Sequence, residues 1–176
     1  MIKHLDVHLQ PWHVYYAREE AVRRSQTARE RGARNGTNEI AGLQPKEADE
    51  IGSICELATS QATGLDERFF EDYHPTRPDV GLIEVRGTKK PDGNLRVYRE
   101  DATNAVFMVL AVIRELSDAG AIVRLMGWTW SEWAWNYSKD APYPPHPKKG
   151  LCRLYRPTAL QPMTTLVKTH KFMEAW

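Results

Sequence analysis

Arg77-Pro78-Asp79-Val80-Gly81-Leu82-Ile83-Glu84-Val85-Arg86-Gly87-Thr88 is the stretch on which the reading of this chain turns. As one continuous strand it scatters its charges. Asp79 and Glu84 are five residues apart, and period-two alternation sends them to opposite faces. As a tight hairpin turning at Gly81-Leu82 it gathers them. Glycine in the first place of a two-residue loop is the signature of a type II′ turn. That turn pairs Val80 with Ile83 and Asp79 with Glu84, whose Cβ atoms then stand roughly 4.5–5.5 Å apart on one face. Arg86, two residues beyond Glu84, projects to the same face, while Val80, Ile83 and Val85 point into a core.

Two carboxylates that close repel each other, and such a pair normally calls for a cation between them. Two arrangements satisfy the pattern. One is an exposed hairpin whose cross-strand charges are softened by Arg86. The other is a divalent-metal site with a basic residue beside it, the equipment for hydrolysing a phosphodiester.

The rest of the chain bounds these readings. Its 176 residues suit one domain of ordinary size, with 41% hydrophobic and 27% charged residues, as in a soluble globular protein. No apolar run approaches the ~20 residues of a membrane span, and the first residues lack the apolar core of a signal peptide. Two cysteines, Cys55 and Cys152, make no disulfide framework, so the expected setting is a reducing cytoplasm.

Charge is segregated along the chain. Residues 12–36 carry six Arg against three Glu, residues 37–138 carry 10 basic against 17 acidic side chains, and residues 139–176 carry seven basic against two acidic. An acidic middle between basic ends suits a metal-binding centre with phosphate-attracting arms, or charge that is self-complementary within one fold. Three segments follow: an N-terminal strand and basic helix (1–45), a core (46–138) and a proline-rich basic C-terminal extension packed on it (139–176).

Residues 2–10 alternate apolar and polar, and place His4, Asp6 and His8 on one face of a strand. A metal could use that face, and a half-exposed strand has the same pattern. Pro11 precedes a helix over 12–34, where Arg23 and Arg24 are candidates for contact with a nucleic-acid backbone. Residues 32–42 read as a loop. A second helix runs from Pro45 to about residue 62, with Ala48, Ile51, Cys55, Ala58 and Ala62 as its buried stripe and Glu56 at the stripe's edge. Phe69, Phe70 and Tyr73 are expected to pack beneath an irregular segment. Beyond the hairpin, residues 95–98 alternate like a strand. The apolar run 105–113 has the length of a central strand, with a buried helix as the alternative, and 121–126 suits another strand joined to it through a turn at 118–120. Ser131 is placed to cap a short helix within a cluster of four tryptophans. The prolines of 140–147 forbid regular structure, 151–155 suits an edge strand, and a short helix is expected over 159–168.

In this order of elements the chain resembles the PD-(D/E)xK nuclease superfamily, and among its members small phage-encoded proteins with an Asp-Val-Gly…Glu-Val-Arg core. Pro78-Asp79 matches the "PD" element, Glu84-Val85-Arg86 the "(D/E)xK" element, and residues 51–58 the helix before them. Gly127-Trp128 and the Tyr143…Leu160-Gln161-Pro162-Met163 tail look similar too. The resemblance covers about residues 46–166.

It implies an α/β fold, a mixed central β-sheet flanked by helices with a restriction-endonuclease-like core. It also implies DNA phosphodiester hydrolysis by metal-activated water in the host-cell cytoplasm. Mg²⁺ or Mn²⁺ would be held by Asp79, Glu84, the Val85 carbonyl and Glu56, with Asp79, Glu84 and Arg86 as the catalytic set. Lys89 and Lys90 would join Arg23 and Arg24 in binding DNA. One departure stands out: Arg86 occupies the place of the usual lysine. An arginine is effectively never neutral, so it cannot take a proton from water, but it can hold a phosphate. The competing expectations are a catalytically silent protein of the same fold that binds nucleic acid or a protein partner, and a structural phage protein. Oligomeric state is open.

Overall fold

The apolar run expected as a central strand becomes β4 (Phe107–Ser117), an interior strand of the main sheet. The computed structural model describes residues 4–30, 45–65, 78–142 and 150–166. Around β4 stand β1 (Leu5–Leu9), β2 (Ile83–Thr88) and β5 (Gly120–Trp130), in the order β1-β5-β4-β2. β5 pairs antiparallel with β4 and β1, whereas β2 runs parallel to β4, with Ile83 opposite Phe107 and Arg86 opposite Leu110. The four-stranded sheet is therefore mixed. A smaller sheet of β3 (Leu95–Tyr98), β6 (Lys139–Asp140) and β7 (Cys152–Tyr155) has the order β3-β7-β6. Helices α1 (Pro11–Glu30) and α2 (Pro45–Thr63) are long, while α3 (Asp101–Asn104) and α4 (Ser131–Tyr137) are short.

Alternation along β4 feeds two cores. Phe107, Val109, Ala111 and Ile113 face one way, with Ile83 and Val85 of β2, toward Ile51, Ile54, Cys55 and Ala58 of α2. Met108 and Leu110 face the other way, toward Leu95, Val97 and Tyr155 of the small sheet and Ala134 of α4. The antiparallel β4–β5 ladder shifts between Leu110/Ala111, whose partners are Gly127 and Leu125, so Met126 is an extra residue on β5. That bulge reverses the phase of β5. Leu125 and Trp128, three apart, thereby reach the same core, where Trp128 and Trp130 pack on the Phe107 ring. Gly127 accommodates the bulge with φ +145, and any side chain there would run into the Gln161 carbonyl.

α2 is buried on more sides than its expected stripe, because Ser53, Leu57, Thr59 and Ser60 are covered as well as Ile51, Cys55 and Ala58. α1 packs against it and also reaches β5. β1 belongs to the main sheet and β7 to the small one, so the first and last segments both supply strands that pair with the middle of the chain.

Three local expectations need correction. Residues 152–155 are the middle strand of the small sheet, not an edge, because β6 pairs on the far side from β3. Ser131 does not cap α4; its hydroxyl donates instead to the Ala105 carbonyl, tying the helix to the start of β4. The C-terminal piece opens with a 3₁₀ turn at Pro157–Ala159, and helix starts only at residue 163, after Pro162; residues 167 and 168 of the expected helix lie outside the described residues. The expected loop at 32–42, the packing of Phe69, Phe70 and Tyr73, and the proline-rich residues 143–147 lie outside the described residues. Among those described, no helix is long and apolar enough to cross a membrane.

Candidate active site

The hairpin forms. Val80 and Ile83 exchange backbone hydrogen bonds of 3.0 and 2.8 Å, and Gly81 takes φ +57, the positive φ that a primed two-residue turn requires at its first loop position. The bridge reaches no farther than Val80 and Ile83. Asp79 instead turns its carboxylate along the hairpin, and Oδ2 accepts the Val85 N–H at 2.8 Å. Val80, Ile83 and Val85 are buried in the main core, and Glu84 and Arg86 alternate to the opposite face of β2.

Arg86 is held from two sides. Its Nη1 lies 2.7 Å from Glu84 Oε1 and its Nη2 2.6 Å from Asp101 Oδ1, while its guanidinium lies 5.6 Å from the Tyr98 ring centre. Asp101, at the start of α3, is buried, and its other oxygen accepts the Tyr98 N–H at 2.8 Å. Nε of Arg86 is buried with no hydrogen-bond partner.

Glu56 comes from α2 and is buried. Its carboxylate meets Arg24 at 2.5 Å, and Arg24 also binds Glu20, a second buried acid, at 2.7 Å. Arg24, expected on a face offered to DNA, is half-buried and bridges Glu20 of α1 and Glu56 of α2. Arg23 grips the same Glu20 through Nε and Nη2, each at 2.8 Å. Lys89 pairs with Glu47 of α2 at 2.7 Å, and Lys90 is exposed.

The acids of this region act on one another. Burial pushes the Asp79 carboxyl up to about 7, the neighbouring Glu56 charge pushes in the same direction, and Arg86 and the Val85 N–H only partly oppose them. Burial raises Glu56 as well, with Arg24 opposing and Glu84 and Glu20 reinforcing. Glu20 goes the other way: burial disfavours its charge, but the hydrogen bonds from Arg23 and Arg24 outweigh it and hold the carboxyl below its usual range. Arg86, although desolvated, stays charged because Glu84, Asp101 and Asp79 surround it.

Glu56, Asp79 and Glu84 thus form one electrostatic neighbourhood on three chain segments. They are hard oxygen donors of the kind Mg²⁺ and Mn²⁺ prefer. In the present rotamers Glu56 and Glu84 turn oxygens to arginines, and among the described residues no three His, Cys, Asp or Glu side chains converge closely enough to hold an ion. The donor types and their mutual repulsion fit a divalent cation; its binding requires those arginine contacts to be exchanged. His4, Asp6 and His8 form no such group either, and both oxygens of Asp6 are taken by Arg124 at 2.7 Å.

α2 packs closely on β2. A Cβ at Gly87 would stand 2.9 Å from Cys55 Sγ and 3.1 Å from the Ile51 carbonyl oxygen. Gly87→Ala should therefore push α2 away from β2, at a cost of about 1–3 kcal/mol. Urea unfolding measures it, and a midpoint equal to wild type would show that the contact is not tight.

The sequence reading missed Glu20 and Asp101. Glu20 had a local signal, since Arg23 and Arg24 follow it at the three- and four-residue spacings of a helix face. Asp101 had none, because it meets Arg86 across 15 residues of chain through a four-residue helix. The Gly127-Trp128 and Gln161-Pro162 pieces do meet. Trp128 and Gln161 exchange backbone hydrogen bonds of 3.0 and 2.7 Å, and the Trp128 indole N–H reaches the Pro162 carbonyl at 3.1 Å. Compared with protein-family models, curated proteins and solved structures, the chain matches none.

Proposed function

We propose that this protein is a divalent-metal-dependent deoxyribonuclease with a restriction-endonuclease-like core. The observation that carries the reading is Asp79. Its carboxyl is pushed up to about 7 by burial and by the Glu56 charge, beside a hairpin that also presents Glu84. Acids held at that cost are a common mark of a site that binds a cation or moves protons. Asp79, Glu84, the Val85 carbonyl and Glu56 would hold Mg²⁺ or Mn²⁺. When bound, the ion would polarise a phosphoryl oxygen and supply a nucleophile from water near neutral pH. Arg86 keeps its proton throughout, so its part is to donate hydrogen bonds to a phosphate oxygen and offset the negative charge that develops there. Asp79, Glu84 and Arg86 are the catalytic set of this reading, and DNA is the substrate.

One observation favours a second reading, a silent protein of the same fold that binds nucleic acid. Glu84 and Asp101 already neutralise Arg86, and Glu84 spends an oxygen on it. The two readings separate in a cleavage assay on linear, circular and single-stranded DNA with Mg²⁺ or Mn²⁺. Wild type should cut at least one substrate, and Glu84→Gln should lose at least 10²-fold in rate, the scale of removing one group that stabilises the transition state. Retardation of DNA in a gel without cleavage under either ion would establish the silent reading. Undiminished cutting by Glu84→Gln would place any activity elsewhere.

A further inference from the structure

We propose that Asp101 is the positioning residue of this site, fixing the direction of the Arg86 guanidinium so that it can meet a phosphate oxygen. The functional consequence rests on the nuclease reading; the orienting role does not. A guanidinium on a flexible three-carbon stem has no fixed direction of its own, and its planar fork becomes specific only when its ends are tied. Here Glu84 takes Nη1 and Asp101 takes Nη2. The two anchors differ in kind. Glu84 is two residues away on the same strand and is a candidate metal ligand, so a bound cation would compete for its hold on Arg86. Asp101 comes from α3, is buried, and is itself fixed by the Tyr98 N–H at 2.8 Å.

Were Glu84 drawn to an ion, Asp101 would still keep the guanidinium from swinging away, and the Tyr98 ring limits its movement on one face. Nε then matters. It is buried with no hydrogen-bond partner, a costly state for a charged donor unless an acceptor arrives with the ligand.

Asp101→Asn tests this with little change of shape. Arg86 and the Tyr98 N–H bond to different oxygens of Asp101, and an asparagine turns an NH2 donor toward one of them. Two measurements are made on the full chain. The first is nitrogen NMR of the Arg86 guanidinium, assigned with Arg86→Lys. Wild type should give separate Nη1 and Nη2 signals, because rotation of a fork tied at both ends is hindered, and Asp101→Asn should merge them. The second is Mn²⁺-dependent DNA cleavage. Asp101→Asn should lose about 10–100-fold in kcat, the scale on which supporting partners act, with KM nearly unchanged. A general loss of fold would also lower apparent kcat at constant KM, through a smaller active fraction, and is told apart by a lowered melting temperature and by disappearance rather than merging of the Arg86 signals.

Averaged Nη signals in wild type overturn the proposal without any variant. So does an Asp101→Asn protein whose Nη signals stay separate, or whose kcat equals wild type. If wild type cuts no DNA with either ion, the nuclease reading fails, and the guanidinium signals still decide whether Asp101 orients Arg86.

Discussion

Arg86→Ala should abolish most Mn²⁺-dependent DNA cleavage, with a loss of at least 10²–10³-fold, the scale seen when one preorganised electrostatic contact to a transition state is removed. Two effects combine. The phosphate loses its cation, and Glu84 and Asp101 lose the charge that lies 2.7 and 2.6 Å from them. The second effect also raises the negative charge around Asp79, so the variant should bind Mn²⁺ at least as well as wild type while failing to cut. Arg86→Lys keeps the charge but cannot span both carboxylates as a planar fork, and intermediate activity is expected. Parallel cleavage and Mn²⁺-binding assays measure this pair. Full activity in Arg86→Ala would remove Arg86 from the catalytic set.

Asp79→Asn should change how stability depends on pH. In the unfolded chain the Asp79 carboxyl loses its proton near the ordinary value of 3.8, whereas in the folded protein it keeps the proton up to about 7. Its contribution is therefore fully present below pH 3.8 and is lost as the pH rises through about 7. Metal-free wild type should lose stability across that window. Asparagine mimics the protonated acid and escapes the loss, so at pH 8 without metal Asp79→Asn should melt on the order of 5 °C above wild type. Added Mg²⁺ or Mn²⁺ should reverse the order, because a ligand at about 100 times its Kd stabilises the folded state by ~2.7 kcal/mol and the variant has lost a ligand. Thermal melts at pH 5 and pH 8, with and without metal, give the four values. Equal metal response in both proteins would place any metal site elsewhere.

Much of the fold was legible because the chain states it in local terms. Gly81-Leu82 between short apolar runs pointed to the hairpin, and the length of the 105–113 run favoured the interior strand over a buried helix. What escaped was set by contacts between distant segments. The Met126 bulge reverses the phase of β5 with no signal in its alternation, so the inward placement of both Leu125 and Trp128 could not be read. Residues 152–155 became a middle strand only because the two residues Lys139 and Asp140 pair beside them.

The site divides the same way. The turn at Gly81-Leu82 was legible, but the cross-strand pairing of Asp79 with Glu84 expected from it does not form, because Asp79 turns to the Val85 N–H. The partners of the arginines did not follow. A basic run on a helix is ordinarily a solvated face, yet Arg24 reaches inward, because the buried acids Glu20 and Glu56 leave their charges in need of it.

The central claim is that Asp79 and Glu84 share a divalent cation. A crystal grown with Mn²⁺ and measured for anomalous scattering at the manganese edge tests it most directly. The claim predicts one strong peak about 2.1 Å from a carboxylate oxygen of each residue, with the Glu84–Arg86 contact opened and Arg86 still on Asp101. Manganese bound elsewhere, with Glu84 still closed on Arg86 and no peak between the two carboxylates, would contradict it.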